Sequence, residues 1–417
     1  MCYAIPGRVS DLSDKTAIVD YFGEKRKAIN EFHDLKIGDY IYAQGGYVIQ
    51  KVSEKEAVET LETWKELFFD LRETDLRLSR VERTGLNKIL DKAAEGIALT
   101  KEDLLELIEL KDPKEIEQLY KVANFLRQKH LKNACCVHGI IEFSNYCRND
   151  CSYCGIRKNN KDIERYRMSD EEILAAVDEA VEKYGFKALV LQSGEDPDFS
   201  VYRLAQLIEK IKSKRAVLIF ISVGEIGKAG LEKLYQAGAR GVLLRFETGN
   251  PDLYQKLHYG DKLEDRLQDI RDAYELGYLV LTGGLIGLPG QTNKDLVHDI
   301  LLTKELNAEM YSFGPVLPEG PSTGLVLKVL AISRLVDPQN AKIVVTTGFE
   351  TLDPESPRKG LLAGANSLML NVTPLKYRKL YNIYPNRAHA EETIEAQIER
   401  TKELLFSLGR APTDLGI

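Results

Sequence analysis

Cys147, Cys151 and Cys154 stand in the stretch EFSNYCRNDCSYCGIR, a Cys-x3-Cys-x2-Cys triplet with Tyr153 directly before the last thiol. Three sulfurs on one short loop suit a [4Fe-4S] cluster, whose tetrahedral irons favour soft ligands, and they leave one iron without a protein ligand. An open iron implies chemistry rather than electron storage. Structural zinc is the weaker reading, because such a site closes with four ligands and no fourth Cys or His stands at ligand spacing. Cys135, Cys136 and His138 come just upstream, on what reads as a barrel strand. A disulfide framework is weaker still, since six cysteines in 417 residues are sparse.

The elements that must position this loop read as an α/β chain in three segments. Residues 1–72 carry short alternating runs, Gly7 to Val9, Thr16 to Tyr21, Lys27 to Ile29, Tyr40 to Ala43 and Tyr47 to Val52, the last two around Gly45-Gly46. They predict a small OB-like β-barrel followed by a helix over Glu54 to Leu71. Residues 73–134 predict a helical connector, with Thr100-Lys-Glu-Asp as a capping box and Asp112-Pro113 as a second helix entry.

Residues 135–417 alternate apolar strand-like runs with amphipathic helices and predict a (β/α)8 barrel. The strands expected are Val137 to Phe143, Ala188 to Gln192, Val217 to Val223, Val242 to Phe246, Leu279 to Leu281, Met310 to Phe313, Lys342 to Val345 and Ser367 to Leu370. From the second onward their starts recur about every 30 residues, the length of one βαβ unit. Parallel barrels gather chemistry on the loops after their strands, which is where the cluster loop, Ser193-Gly-Glu-Asp, Arg245-Phe-Glu-Thr and Thr346-Thr347 fall.

A net charge of -7 argues against nucleic acid as a main partner, because phosphate binding calls for a basic face. The opening MCYAIPGRVSDLSDK lacks a basic stretch followed by an apolar one, and no apolar run approaches the roughly 20 residues needed to cross a bilayer. The expectation is a cytoplasmic chain without membrane partners.

The triplet spacing is also the signature of radical S-adenosylmethionine (SAM) enzymes, in which SAM chelates the open iron and is split reductively to methionine and a 5′-deoxyadenosyl radical. Residues 83 to 410 resemble the HydE maturases of [FeFe]-hydrogenase, kin to the biotin and methylornithine synthases, through EFSNYCRNDCSYCGIRKNN, RYRM, LVLQSGEDP, LLRFETGNP, GLPGQT and NVTPLKYRKLYNIYP. The resemblance implies one cluster on Cys147, Cys151 and Cys154. It implies SAM contacts from Tyr153, Gln192, Ser193, Gly194, Glu247 and Arg266, and a grip on a substrate amino-acid carboxylate from Arg245, Thr346 and Thr347. The substrate implied is an organometallic iron complex carrying CO, cyanide and cysteine, or a cysteine-derived small molecule, with an electron donor and other hydrogenase maturation proteins as partners. Phe220 and Phe246 stand where this family leads one to expect Thr and His, which predicts a more apolar pocket. Residue by residue, the alternatives are a packing role for Tyr153, a solvated helix position for Arg266 and plain β-propensity for the Thr pair.

The first segment, MCYAIPGRV with GDYIYAQGGYVIQKVSEKEA, resembles the HypC/HupF chaperones of [NiFe]-hydrogenase assembly. There the N-terminal cysteine, here Cys2, helps hold an iron carrying cyanide and CO. Gln44 stands where that family usually has histidine. A docking module without iron is the alternative for this segment, and a free amino-acid substrate or an idle scaffold is the alternative for the barrel.

Overall fold

The computed structural model describes residues 3–31, 34–81, 85 and 87–415. Five strands, β1 (Gly7–Ser13), β2 (Thr16–Tyr21), β3 (Glu24–Ile29), β4 (Tyr40–Gln44) and β5 (Tyr47–Val52), close into a barrel in the order β1-β2-β3-β5-β4, the order of an OB-type barrel. Period-two alternation builds its core: Ala17, Val19 and Tyr21 point in while Thr16, Ile18 and Asp20 point out. Gly45 and Gly46 both take positive φ, 55° and 83°, which lets β4 turn directly into β5.

Helix α1 (Glu54–Leu78), capped by Ser53, runs through residue 72 without a break. The expected boundary therefore falls inside one helix. Near its end Asp75 is buried against both guanidinium nitrogens of Arg127, at 2.7 and 2.8 Å, and lies 3.1 Å from Arg410. Helix α2 (Lys88–Ala94) is capped by Asn87, and α3 (Lys101–Glu109) and α4 (Pro113–Leu131) start where the sequence signals placed them, with a capping box at Thr100 and an Asp112 cap before Pro113. α3 and α4 pack on the helices Asn293–Glu305 and Thr323–Val336 of the large barrel, and α2 packs on α4.

The large barrel follows in β6 (Ala134–Ser144), β7 (Ala188–Ser193), β8 (Leu218–Ser222), β9 (Ala239–Leu243), β10 (Leu279–Thr282), β11 (Leu285–Ile286), β12 (Met310–Tyr311), β13 (Gly314–Pro315), β14 (Lys342–Ile343), β15 (Ser367–Asn371) and β16 (Ala411–Pro412). The eight walls run parallel in the order β14-β12-β10-β9-β8-β7-β6-β15, and a bridge between Val344 and Ser367 closes the ring. β11 and β13 add a short rung above β10 and β12, and β16 adds to the start of β6. β9 ends at Leu243, three residues before the expected end, and Leu244 and Glu247 go on donating to the carbonyls of Leu281 and Gly283 as irregular chain.

The small barrel is seated on the floor of the large one, at the N-terminal ends of its strands. Tyr42, Tyr47, Ile49 and Val52 form one apolar cluster with Leu218, Phe220, Leu281 and Met310. The Tyr47 hydroxyl donates to Gly277 O at 3.1 Å, Tyr3 donates to Asn133 at 3.1 Å, and Arg240 pairs with Glu31 at 2.8 Å. Among the described residues no helix is long and apolar enough to cross a membrane.

Candidate active site

The cluster loop leaves β6 at the opposite end, the mouth, and is clamped by its neighbours. Arg148 N–H donates to Glu195 O at 2.9 Å, Ser152 N–H to Leu257 O at 3.0 Å and Gly155 N–H to Ile383 O at 2.7 Å. A Cβ on Gly194 would lie 2.3 Å from Tyr146 O and 2.8 Å from Cys147 Cβ, so only glycine lets the loop after β7 approach the cysteines this closely. Burial first, and then repulsion from the neighbouring cysteines, pushes the Cys151 thiol up to about 12; burial also takes Cys154 to about 12 and raises Cys147. Three partly buried sulfurs that resist ionising together fit a cationic centre, because a metal is what makes three adjacent thiolates tolerable.

Beside the sulfurs lies a cavity of about 320 Å³ inside the barrel mouth, walled by Tyr153, Gln192, Ser193, Gly194, Arg245, Glu247, Arg266, Thr346 and Thr347 as well as the three cysteines. The structure thus brings every site residue expected in the large barrel into one space. Arg266 is buried, not solvated: Nε donates to Tyr254 at 3.0 Å and lies 2.8 Å from Glu225, and Nη1 donates to Arg245 O at 3.2 Å. Glu247 sits at φ 68°, a left-handed conformation that costs a non-glycine residue of order 1–3 kcal/mol. That turn aims its carboxylate at Arg245, with Oε2 2.6 Å from Nη2 and Oε1 3.3 Å from Nε. Arg245 and Glu247, expected to serve different ligands, hold each other.

Thr346 and Thr347 are not strand residues. Thr346 caps the short helix Thr347–Leu352 after β14, accepting from Phe349 N–H at 3.3 Å. Its hydroxyl faces the same backbone as the Arg245 guanidinium: a Cβ on Gly314 would lie 3.1 Å from Thr346 Oγ1 and 3.3 Å from Arg245 Nη1.

Two expectations are corrected. Phe220 does not border the mouth; it lies in the floor layer, stacked on His138 at 4.9 Å. Phe246 follows Arg245, and period two sends it outward into the core beneath the helices, where it is fully buried. Neither makes the pocket more apolar. At the other end, Cys2 lies outside the described residues. Gln44 is fully buried, and neither of its amide atoms has a hydrogen-bond partner among the described residues.

Sequence reasoning missed His258, whose Nδ1 is 3.5 Å from Cys151 Sγ and whose Nε2 is 3.2 Å from the Tyr153 hydroxyl. Burial, then the Arg266 charge, hold it down to about 3, so it is a neutral imidazole between thiol and phenol. Arg387 was missed as well; it lines the cavity while pairing with the buried Glu142 from β6, Nη1 to Oε2 at 2.9 Å. Both residues lie outside any spaced motif, and only the fold joins them to the loop.

Residues 141–302, which include the triplet, Arg245, Glu247 and Arg266, match the radical SAM superfamily, and residues 1–64 match the HupF/HypC family. The chain is 39% identical over 335 residues to the [FeFe] hydrogenase maturase subunit HydE of Thermotoga maritima, covering 78% of this chain and 95% of that one. The chain belongs to the HydE-related radical SAM family. It is also 32% identical over 300 residues to the 3-methylornithine synthase of Methanosarcina acetivorans, across 69% of this chain and 84% of the relative. Among solved structures, methylornithine synthase (PylB) matches with a TM-score of 0.69 at 27% identity over 78% of this chain and 97% of that one. HydG from Carboxydothermus hydrogenoformans shares the fold, with a TM-score of 0.66 at 21% identity over 84% and 85% of the two chains. This family's chemistry uses a [4Fe-4S] cluster and SAM, and the mouth offers thiols, a close glycine approach and paired charges that suit both.

Proposed function

We propose that this chain is a cytoplasmic hydrogenase maturase whose large barrel acts on a cysteine held by an iron complex carrying CO and cyanide, and whose small barrel serves the same assembly line. The observation that carries the reading is the Arg245–Glu247 pair beside Thr346, in one cavity with the three cysteines. Cys147, Cys151 and Cys154 hold the cluster. When bound and reduced by one electron from a donor protein, cluster and SAM supply a 5′-deoxyadenosyl radical. Tyr153, Gln192, Ser193 and Gly194 border the SAM, Glu247 accepts from its ribose hydroxyls, and Arg266 pairs with its carboxylate through a planar fork.

Arg245 then has a task in which its own buried charge stays paired. An arriving amino-acid carboxylate replaces Glu247 on the guanidinium and is flanked by the Thr346 and Thr347 hydroxyls, while Glu247 is released towards the ribose. Exchanging one carboxylate for another keeps the guanidinium paired throughout, which matters because an unpaired buried charge is costly. Occupancy of the substrate and cofactor subsites is thereby coupled through two adjacent residues.

The docking of the small barrel bears on its role. Tyr3 bonds to Asn133 at the start of β6, whose 11 residues span about 33 Å before the cluster loop begins. The described part of the small barrel therefore sits on the far side of the large barrel from the radical site.

A free amino-acid substrate, as in the 3-methylornithine synthases, is the second reading, favoured by the 32% identity and by an Arg-Thr grip that would hold any α-carboxylate. The test is reductive SAM cleavage under dithionite with each substrate class in turn. Stimulation by a synthetic iron complex carrying cysteine, CO and cyanide supports the maturase reading, and stimulation by free diamino acids alone refutes it.

A further inference from the structure

Beneath the small barrel lies a second constellation that chemistry at the mouth does not use. Cys136 and His138 are alternate residues of β6, so both face inward at the floor. Asp414 is brought to them by the C-terminal segment, which is pinned alongside β6 by Ala411 N–H to Asn133 O and Thr413 N–H to Cys135 O, both 2.9 Å. All three side chains are buried, and one ligand atom from each lies within 4.8 Å of the other two. His138 Nε2 is 3.3 Å from Asp414. Between them is a cavity of about 10 Å³, bordered by Met310, Thr413 and, from the small barrel, Gly45. That is room for one water-sized occupant.

We propose that the barrel floor holds one divalent first-row transition ion of the zinc or ferrous class, ligated by the Cys136 thiolate, the His138 imidazole and the Asp414 carboxylate. The donor set decides the class: sulfur and imidazole with one carboxylate suit borderline ions, whereas calcium and magnesium take oxygen ligands. With metal–ligand bonds of about 2.0–2.3 Å, tetrahedral ligands stand roughly 3.3–3.8 Å apart, so the group contracts by at most about 1.5 Å.

The supporting groups are in place. Asp414 Oδ2 accepts Val137 N–H at 3.1 Å and the Thr413 hydroxyl at 2.7 Å, which orients the carboxylate. The Phe220 ring lies 28° from the plane of the imidazole and limits its tilt. Thiol and imidazolium each give up a proton as a dication enters, so the buried net charge does not change, and the adjacent Lys342 remains paired with Glu309. The ion staples the C-terminal segment to β6 under the small barrel. Because the walls are closed, it is acquired during folding and exchanges slowly.

The test uses the full chain with Cys147, Cys151 and Cys154 changed to Ser, so that no cluster sulfur remains, produced in cobalt-supplemented medium. One cobalt per chain is expected, resistant to external chelator, with a thiolate-to-cobalt charge-transfer band. Adding Cys136→Ser should remove the band, and adding His138→Gln or Asp414→Asn should cut retained cobalt at least tenfold, with circular dichroism confirming that each variant is folded. X-ray absorption on the zinc-loaded parent needs no further variant: one sulfur at about 2.3 Å with nitrogen or oxygen at about 2.0–2.1 Å supports the site. Absence of sulfur from the metal shell, or an undiminished band in the Cys136→Ser chain, overturns it. Protein that keeps no metal at all also overturns it, and leaves the His138–Asp414 contact as an ion pair.

Discussion

Changing Arg245 to Lys keeps the charge and removes the planar fork. In the structure that fork makes one short contact to Glu247, at 2.6 Å, and a longer one at 3.3 Å. If a substrate carboxylate takes over this geometry, the variant loses about one charge-assisted bond, worth roughly 1.5–3 kcal/mol, which is about 10- to 150-fold in substrate affinity. SAM affinity should change less than threefold, because Arg266 and the loop after β7 are untouched. Arg245→Ala is a poorer probe: it strands Glu247, only 7% exposed, without its counter-charge and disturbs the cofactor side as well. Pairing it with Glu247→Gln removes that complication, and the double variant should bind SAM better than Arg245→Ala alone. The assays are the SAM-induced change in the EPR signal of the reduced cluster for the cofactor, and the concentration dependence of substrate-stimulated 5′-deoxyadenosine formation for the substrate. A SAM affinity that falls as far as substrate affinity in Arg245→Lys would refute the assignment of this guanidinium to substrate.

Three further outcomes follow from the same geometry. Gly194→Ala, whose new methyl would meet Tyr146 O at 2.3 Å, should leave the fold intact by circular dichroism but lower reconstituted iron well below the four per chain of a full cluster. Asp75→Asn leaves Arg127 and Arg410 buried without their shared carboxylate and should lower unfolding free energy by about 3–5 kcal/mol, read by denaturant titration. Asp299 is fully buried, and burial raises its carboxyl to about 7 although its Oδ1 accepts Gly249 N–H at 2.7 Å. Because the folded state holds this proton more tightly than the unfolded one, its stabilising effect is complete below about pH 4 and is lost by about pH 7; Asp299→Asn should flatten that part of the stability–pH curve.

Much of the fold was legible because the strands of a parallel barrel are apolar runs punctuated by polar loop motifs, and the motifs carried the mouth residues with them. The ends of β9 were not, since Leu244 and Phe246 look like strand but the chain must turn left-handed at Glu247 to aim its carboxylate. The facing of Phe246 could have been read from period two once Arg245 was assigned inward. His258 could not, because 105 residues separate it from Tyr153 and only the fold brings them to 3.2 Å. The seat of the small barrel left a signal that was passed over: β4 and β5 are apolar on both faces, Ile41, Ala43 and Val48 filling the small core while Tyr42, Tyr47 and Ile49 cover the large barrel's floor. A small barrel standing free in water has no use for a second apolar face.

The central claim is that the mouth performs radical chemistry on an iron-bound cysteine. Its most direct test is anaerobic incubation of the reconstituted chain with dithionite, SAM and an iron complex carrying cysteine, CO and cyanide, followed by infrared spectroscopy and by quantification of 5′-deoxyadenosine. The account predicts 5′-deoxyadenosine formation stimulated by the complex, shifted CO and cyanide bands, and loss of both in the Cys147/Cys151/Cys154→Ala chain. Bands that stay in place while SAM is cleaved at the same rate with and without the complex would contradict it.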